Sequence, residues 1–507
     1  MSSVRGRLSV GLVLGAGLTL LVACGGSPAL PEAAGGHPAI GAGGGATSTA
    51  PGTPAPTTLH TGNSRGNTDV VASGGPDAPY NYAPSVLRVG NSYRMWWCSQ
   101  LPGAARPGDE IVSATSASPD GPFTGSGGAP ADVQFGNSPS GFDSLHTCDP
   151  SVIAVGGVYY LYYTGTSDPA GDNNSIGLAT STDGVHWTRA NGGRPIVSTS
   201  GEVHRANAYG AGQPSAVYLD GWYYLMFTDT TGGAAASNGA GQFVLRAKDA
   251  ALTNTLQALG PNGFGSVPST FAPRRTSILA GFTADWMWVD ALNAFAIAAD
   301  TGAGTTITFW DADFRYHPYN PIQLDGAWKE GPGFVRRADG HAPVNTTDPC
   351  GRVSFDFYRA TQQGAGPTGI AHFGVDALGV SGCATTPQAL DVLNGFVLPS
   401  PQRTVYLVAD GVLVEVERRS VALALANGMT TTSVPALAKV TVAATVPAGV
   451  QALTAPGRPV ALLASDGRLW TVGSTALAAL NSSPVTTVST GQWDAYPRGF
   501  DLAELRG

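Results

Sequence analysis

From about residue 68 the chain is built of short runs rich in apolar and aromatic residues, each closed by a glycine, asparagine or Asp-Gly turn. Runs of that length between turn residues read as β-strands. The runs repeat. Tyr82-Ala83-Pro84-Ser85-Val86 leads to Tyr93-Arg94-Met95-Trp96-Trp97, and Cys148-Asp149-Pro150-Ser151-Val152 leads to Tyr159-Tyr160-Leu161-Tyr162-Tyr163-Thr164. Gly212-Gln213-Pro214-Ser215-Ala216 leads to Trp222-Tyr223-Tyr224-Leu225-Met226-Phe227-Thr228. Weaker copies begin at Asp285-Trp286-Met287 and at Asp348-Pro349-Cys350, the latter running into Val353–Tyr358. The period is about 65 residues, which places one supersecondary unit in each copy.

Third strands follow at Ile111–Ser116, Ile176–Ser181 and Phe243–Ala247. Asp-Gly turns at Asp120-Gly121 and Asp183-Gly184 then lead to an aromatic in a fourth strand, Phe123 or Trp187. Four strands per copy and five copies predict an all-β chain with a five-bladed β-propeller over residues 68–392. Stacked blades bury faces that a lone sheet would expose, so the aromatic stripes are expected to be core. Residues 393–507 carry a different repeat. Val405–Val416, with its Asp410-Gly411 turn, recurs about 56 residues later as Ala461–Val472 with Asp466-Gly467. Each hairpin precedes a segment that reads as a short helix, Val421–Asn427 and Ser474–Asn481. This is a small β-rich two-repeat accessory domain, either a polymer-binding module or a lid on the propeller.

Composition narrows the partners. The chain has 507 residues, 43% of them hydrophobic and only 12% charged, so it has ample material for a core. Its formal charge is −8, and Lys248, Lys329 and Lys439 are its only lysines. Nucleic acid is not an expected partner, because neutralising phosphates needs clustered Lys and Arg.

The N-terminus reads as an address. Arg5 and Arg7 precede an apolar run from Leu8 to Ala23, too short and glycine-rich for a membrane span and suited to a signal peptide. Leu21-Val22-Ala23-Cys24 resembles the bacterial lipoprotein lipobox, which implies cleavage after residue 23 and lipidation of Cys24. Residues 24–67, nearly free of charge and rich in Gly, Ala, Pro, Ser and Thr, form an expected disordered tether. The protein is thus expected to be exported and held to the outer face of a bacterial membrane by its lipid anchor. Cys98, Cys148, Cys350 and Cys383 remain, an even number that fits two disulfides in an exported chain. Three pairings are open, of which Cys98–Cys148 and Cys350–Cys383 close the shortest loops. No Cys-x-x-Cys or His-x-x-x-His spacing marks a metal site.

Asp149-Pro150-Ser151-Val152, the Tyr159–Thr164 strand and Ile176–Trp187 together resemble glycoside hydrolase family 43 and its five-bladed relatives, and the resemblance covers most of residues 68–392. It implies inverting hydrolysis by three carboxylates, one from each of the first three blades: a base, an orienting Asp and a Glu acid. Inversion needs a protonated carboxyl at the leaving oxygen and an ionised one for water, about 6.5–9.5 Å apart. Asp149 matches the blade-2 position, whereas Ala83 stands where the base belongs and Gln213 where the acid belongs.

Glu202, in the loop entering blade 3, and Asp77, ahead of blade 1, are the candidate substitutes for acid and base. Asp285 and Asp348 occupy the Asp149-like position of blades 4 and 5, and with His146, His204 and Gln213 they are candidate substrate-binding residues. His341 is a further candidate for the mouth. Glu330, in Lys329-Glu330-Gly331-Pro332, resembles the family's Glu-Gly-Pro acid motif but falls between blades 4 and 5, and Glu110 is expected on the surface.

The resulting expectation is a lipid-anchored, monomeric glycosidase acting on xylose- or arabinose-containing poly- or oligosaccharides. The alternatives are a glycan-binding propeller that does not cleave (a receptor or adhesin) and a protein-interaction propeller. No cofactor is expected, with a structural cation such as calcium left open for the channel.

Overall fold

The computed structural model describes residues 54–66, 69–76, 78–99, 109–301, 303–326, 330–361 and 368–505. The signal peptide, Cys24, most of the tether and Asp77 lie outside the described residues. Among the described residues no helix is long and apolar enough to cross a membrane.

Five antiparallel sheets are arranged around one axis. Blade 1 comprises Tyr82–Val89, Ser92–Ser99, Glu110–Ser116 and Asp132–Phe135. Blade 2 comprises His146–Val155, Val158–Thr166, Ser175–Ser181 and Thr188–Arg189. Blade 3 runs from Ala211–Leu219 through Trp222–Asp229 and Gln242–Ala247 to Gln257–Gly260. Blade 4 runs from Ala284–Val289 through Ala294–Thr301 and Gly304–Trp310 to Ile322–Asp325. The inner strands neighbour one another in sequence, and the ring closes where Val335 and Arg336 of blade 5 pair in parallel with Val86 and Leu87 of blade 1. Each blade interface is apolar. Trp96, Val152 and Tyr163 fill the gap between blades 1 and 2, and Trp286, Phe295 and Met226 that between blades 3 and 4. The aromatic stripes are core, as the sequence predicts.

Blade 5 corrects two expectations. Its inner strand is Gly333–Arg336, ahead of the copy expected to begin at Asp348, and Arg352–Ala360 is its second strand. Its third strand is Ile370–Leu378, and its outer strand is His60–Gly66, from the stretch expected to be tether. His60 pairs with Leu378 and Gly66 with Phe373, so the first strand among the described residues completes blade 5. Asp348 consequently lies in the exposed loop between inner and second strands, where its carboxylate caps the Gly351 amide. That loop is on the opposite face from the strand starts, because inner strands run from one face to the other.

Three blades share one local device. The ladder between inner and second strands slips at Tyr82/Ser85, Cys148/Ser151 and Gly212/Ser215. Proline has no N–H to donate to a ladder, so Pro84, Pro150 and Pro214 each sit in a bulge. The preceding residues take left-handed backbone, with φ of 48° at Ala83, 48° at Asp149 and 52° at Gln213. The serines that follow tie blade to blade: Ser85 Oγ accepts from the Val152 amide, Ser151 Oγ from Ala216 and Ser215 Oγ from Trp286.

The fully buried guanidinium of Arg336 fills the axis beneath them. It donates to Ser85, Ser151 and Ser215 Oγ and to the carbonyls of Ala216 and Trp286, and it lies 3.4 Å from Asp285. An arginine thus supplies positive charge on the axis. Beyond Arg336 the chain crosses under the ring: Ala338, Asp339 and Gly340 carbonyls accept from Ala154, Tyr218 and Trp288 of blades 2, 3 and 4. His341 is buried in this floor between Asp290 and the Tyr218 carbonyl, which corrects its expected place at the mouth.

Both expected disulfides form. Cys350–Cys383 fastens the floor loop to the start of the C-terminal region, where helix Thr386–Val392 is capped by Thr385. Two five-stranded sheets of identical topology follow. In each, a three-strand meander gains two parallel edge strands, with helix Arg419–Leu425 in the first copy and Thr475–Leu480 in the second.

Candidate active site

The strand starts converge on a shallow axial mouth lined by Ala83, Asp149, Gln213, Thr283, Asp285, Gly331 and the adjoining prolines. Its enclosed volume is about 30 Å³. The bulge that displaces proline from the ladder also turns the residue before it toward the axis, so a motif written for backbone reasons presents a side chain to the mouth. In blade 2 that side chain is a carboxyl. In blade 1 it is a methyl group, and in blade 3 an amide.

Asp149 is 8% exposed. The Tyr209 hydroxyl donates to its Oδ2 at 3.2 Å, and Thr164 gives a second side-chain hydrogen bond. Burial raises its pKa to about 6; those two bonds pull it down and nearby Asp109 pushes it up. Near neutral pH Asp149 therefore exchanges its proton readily, which is the property required of a general acid or base.

Behind Asp149, between blades 1 and 2, a niche of about 30 Å³ is lined by Tyr82, Asp109, His146, Cys148, Asp149, Thr164 and Tyr209 among others. Asp109 accepts a 2.8 Å hydrogen bond from Tyr82, and its own amide donates to His146 Nδ1 at 3.2 Å. Burial raises the Asp109 pKa, against the pull of Tyr82 and His146. Glu110 corrects its expected surface position: it is buried, and desolvation with the Asp109 charge lifts it to about 8. The Cys98–Cys148 disulfide pins blade 1 to the residue before Asp149, and the Tyr82 hydroxyl lies 3.1 Å from Cys148 Sγ. With both sulfurs spent in that bond, Cys98, Cys148 and Asp149 do not make a metal cradle.

The remaining candidates divide. His146 lines the niche and Gln213 lines the mouth, where its amide donates to Thr283 Oγ1 at 3.2 Å. Asp285 reaches the mouth but is committed to structure, accepting from Ser215 Oγ at 2.5 Å and the Phe334 amide at 2.7 Å beside Arg336. Glu202 does not join them. Its carboxylate accepts from the Gly233 and Arg274 amides at 2.9 and 2.6 Å, knitting the exposed loops of blade 3. Those amides outweigh burial and lower its pKa, the reverse of what an acid needs. His204 is exposed in the same loop.

Two residues take a larger part than the repeat suggested. Asp109 directly precedes the third strand of blade 1, where no inner-strand motif flags it. Glu330 precedes Gly331-Pro332 at the true start of blade 5. Its carbonyl accepts from the Ala83 amide at 3.4 Å, and its charge helps to raise the pKa values of Tyr80, Tyr82 and Tyr209. The Pro-containing strand start was the available signal, obscured by the misplaced blade-5 register.

No protein-family model matches the chain. Over 127 residues it is 35% identical to the arabinan endo-1,5-α-L-arabinosidase A of Aspergillus niger, a match covering 24% of this chain and 35% of that protein. The chain is similar to propeller glycoside hydrolases. It matches only about a third of the length of those curated relatives.

Among solved structures the chain is similar to a family 117 glycoside hydrolase of Zobellia galactanivorans, at 15% identity and TM-score 0.41, covering 64% of this chain and 90% of that one. An α-L-arabinofuranosidase of Podospora anserina aligns at 13% identity and TM-score 0.38, over 63% of this chain and 98% of its own. A family 43 β-xylosidase/α-arabinofuranosidase from a compost metagenome aligns at 12% and 0.40, over 61% and 94%. The five-bladed assignment itself rests on the strand order given above.

Proposed function

We propose that this protein is an exported glycoside hydrolase acting on arabinose- or xylose-containing glycans, tethered to the outer face of a bacterial membrane through lipidated Cys24. The observation that carries the reading is Asp149: a buried carboxyl with a pKa raised to about 6, aimed at the propeller axis from a proline bulge. The partial match to arabinan-cleaving relatives supports the substrate class.

In this reading protonated Asp149 gives its proton to the glycosidic oxygen as the bond from that oxygen to the anomeric carbon breaks. Water supplies the new oxygen to the anomeric carbon, and its proton passes to the carboxylate of Glu330, the residue before the Gly331-Pro332 that line the mouth. Solvent exchange then resets both groups. Asp109 and Tyr209 act through Asp149, the first by its charge and the second by its hydrogen bond. Proton transfer of this kind contributes about 10²–10⁴-fold, so Asp149→Asn and Glu330→Gln should each lose about that factor in reducing-sugar release from arabinan or xylan.

A second reading, glycan binding without cleavage, is favoured by Ala83 and Gln213 at two mouth positions. Release from none of arabinan, xylan or fructan by the parent chain, with binding retained, would establish that reading and dismiss the first.

A further inference from the structure

A second, roomier cavity lies away from the mouth. A cleft of about 460 Å³ separates the propeller floor from the C-terminal module. A second hollow of about 200 Å³ adjoins it, and both are lined by Arg88, Pro343, Val344 and Thr346. The two make one elongated groove beneath blades 5, 1, 2 and 3. Its dimensions are those of ligand sites, typically about 300–1,000 Å³.

The lining carries both signs of charge at close quarters. Arg88 and Arg337 belong to the propeller side, where Arg337 is paired with Asp339 at 2.7 Å; Asp410, Asp501 and Glu504 belong to the C-terminal module. Glu504 is near enough to Tyr218 across the cleft to raise its pKa, after burial. An anion entering the groove would meet four carboxylates, and a cation would meet the Arg88 guanidinium. A neutral polyhydroxyl chain meets neither penalty. Its hydroxyls donate to carboxylates and accept from arginines, and the half-buried rings of Tyr218 and Phe500 offer apolar faces to sugar C–H groups.

We infer that this groove is a second binding site, for an extended neutral oligosaccharide, built jointly by the propeller floor and the C-terminal module. It shares its ligand class with the reading of the mouth but does not depend on cleavage there. The site would hold a glycan chain on the face opposite the mouth, and it gives the C-terminal repeats a role that a purely structural lid would not need.

The test uses the full chain carrying Asp149→Asn, titrated calorimetrically with α-1,5-linked arabinopentaose, xylopentaose and cellopentaose. At least one should bind, and adding Arg88→Ala with Glu504→Ala should weaken that binding at least tenfold. Arg88 is only half-buried and Glu504 is exposed, so both changes should leave the thermal melt in place. Hydrogen exchange with the bound pentasaccharide should slow at 84–94, 337–347 and 498–505. Three results would each overturn the proposal: no binding of any of the three sugars, equal affinity in the groove variant, or protection confined to the strand starts at the mouth. Should Asp149→Asn fail to fold, the same titration of the parent chain at low temperature, against Arg88→Ala with Glu504→Ala alone, decides it.

Discussion

Replacing Arg336 by Met should destabilise the propeller by about 4 kcal/mol, because breaking a buried ion pair from one side costs about 3–5 kcal/mol. Arg336 is fully buried. Its removal leaves the Asp285 carboxyl at 7% exposure with Ser215 Oγ and the Phe334 amide but no cation. The carbonyls of Ala216 and Trp286 lose donors at 3.0 and 3.3 Å, while Ser85, Ser151 and Ser215 keep the amide bonds that link the blades. Each buried acceptor left without a donor costs about 1–3 kcal/mol, partly recovered by relaxation, so the two routes to the figure agree. Urea unfolding followed by tryptophan fluorescence reads it out through Trp96, Trp97 and Trp286, all buried between blades. With a slope of about 3 kcal/mol/M for a domain of this size, the midpoint should fall by a little over 1 M. The double variant Arg336→Met with Asp285→Asn should recover at least about 2 kcal/mol of the loss, as groups in direct contact do not add. A loss below about 1 kcal/mol for the single variant, or full additivity in the double, would refute the view that this guanidinium serves as the channel's cation.

Asp149 makes stability pH-dependent: its folded pKa lies above its unfolded value of 3.8, so its contribution is whole below that value and is lost as pH rises through about 6. The span is worth about 3 kcal/mol, and Asp149→Asn should gain on the parent in urea melts between pH 4 and 6 and then hold level; parallel curves would contradict the burial. His372 is held between Asp120 and Asp356 at 2.8 and 2.9 Å, where blades 1 and 5 meet near Arg65. Burial lowers its pKa but the two carboxylates win and raise it, so this seam is firmest below pH 6.5 and weakens as pH climbs past the folded pKa; His372→Gln should flatten the fall in Tm across pH 6–9. Ala83→Gly should stabilise by roughly 1 kcal/mol, since left-handed backbone costs a non-glycine residue about 1–3 kcal/mol and the added chain entropy returns only about 0.5–1; a lower urea midpoint would argue against strain at φ 48°.

What the sequence discloses follows what each residue must satisfy. Blades 1 to 4 are legible because their aromatic second strands are buried on both sides, and burial writes a dense apolar signature. The strand His60–Gly66 leaves no such signature: its residues are exposed or half-buried at the outer edge of blade 5, and it is held by backbone pairing and by Arg65 reaching Asp356 and Asp376. Polar residues under so little constraint are indistinguishable from a tether. Blade 5 misleads for a related reason. Its inner strand spans only Gly333–Arg336, so the aromatic run of Arg352–Ala360 draws the expected start of the copy to the adjacent Asp348 and carries that residue to the wrong face. At the mouth, Asp149 is found by its motif because proline fixes the bulge that aims it. Asp109 is held by tertiary contacts with Tyr82 and His146 instead, across a gap in sequence that no local pattern spans. Ala83 and Gln213 keep the left-handed turn of Asp149 without its carboxyl. The backbone device at the mouth thus survives the loss of the side chains it would serve, which locates the question of catalysis in Asp149 and Glu330 rather than in the fold.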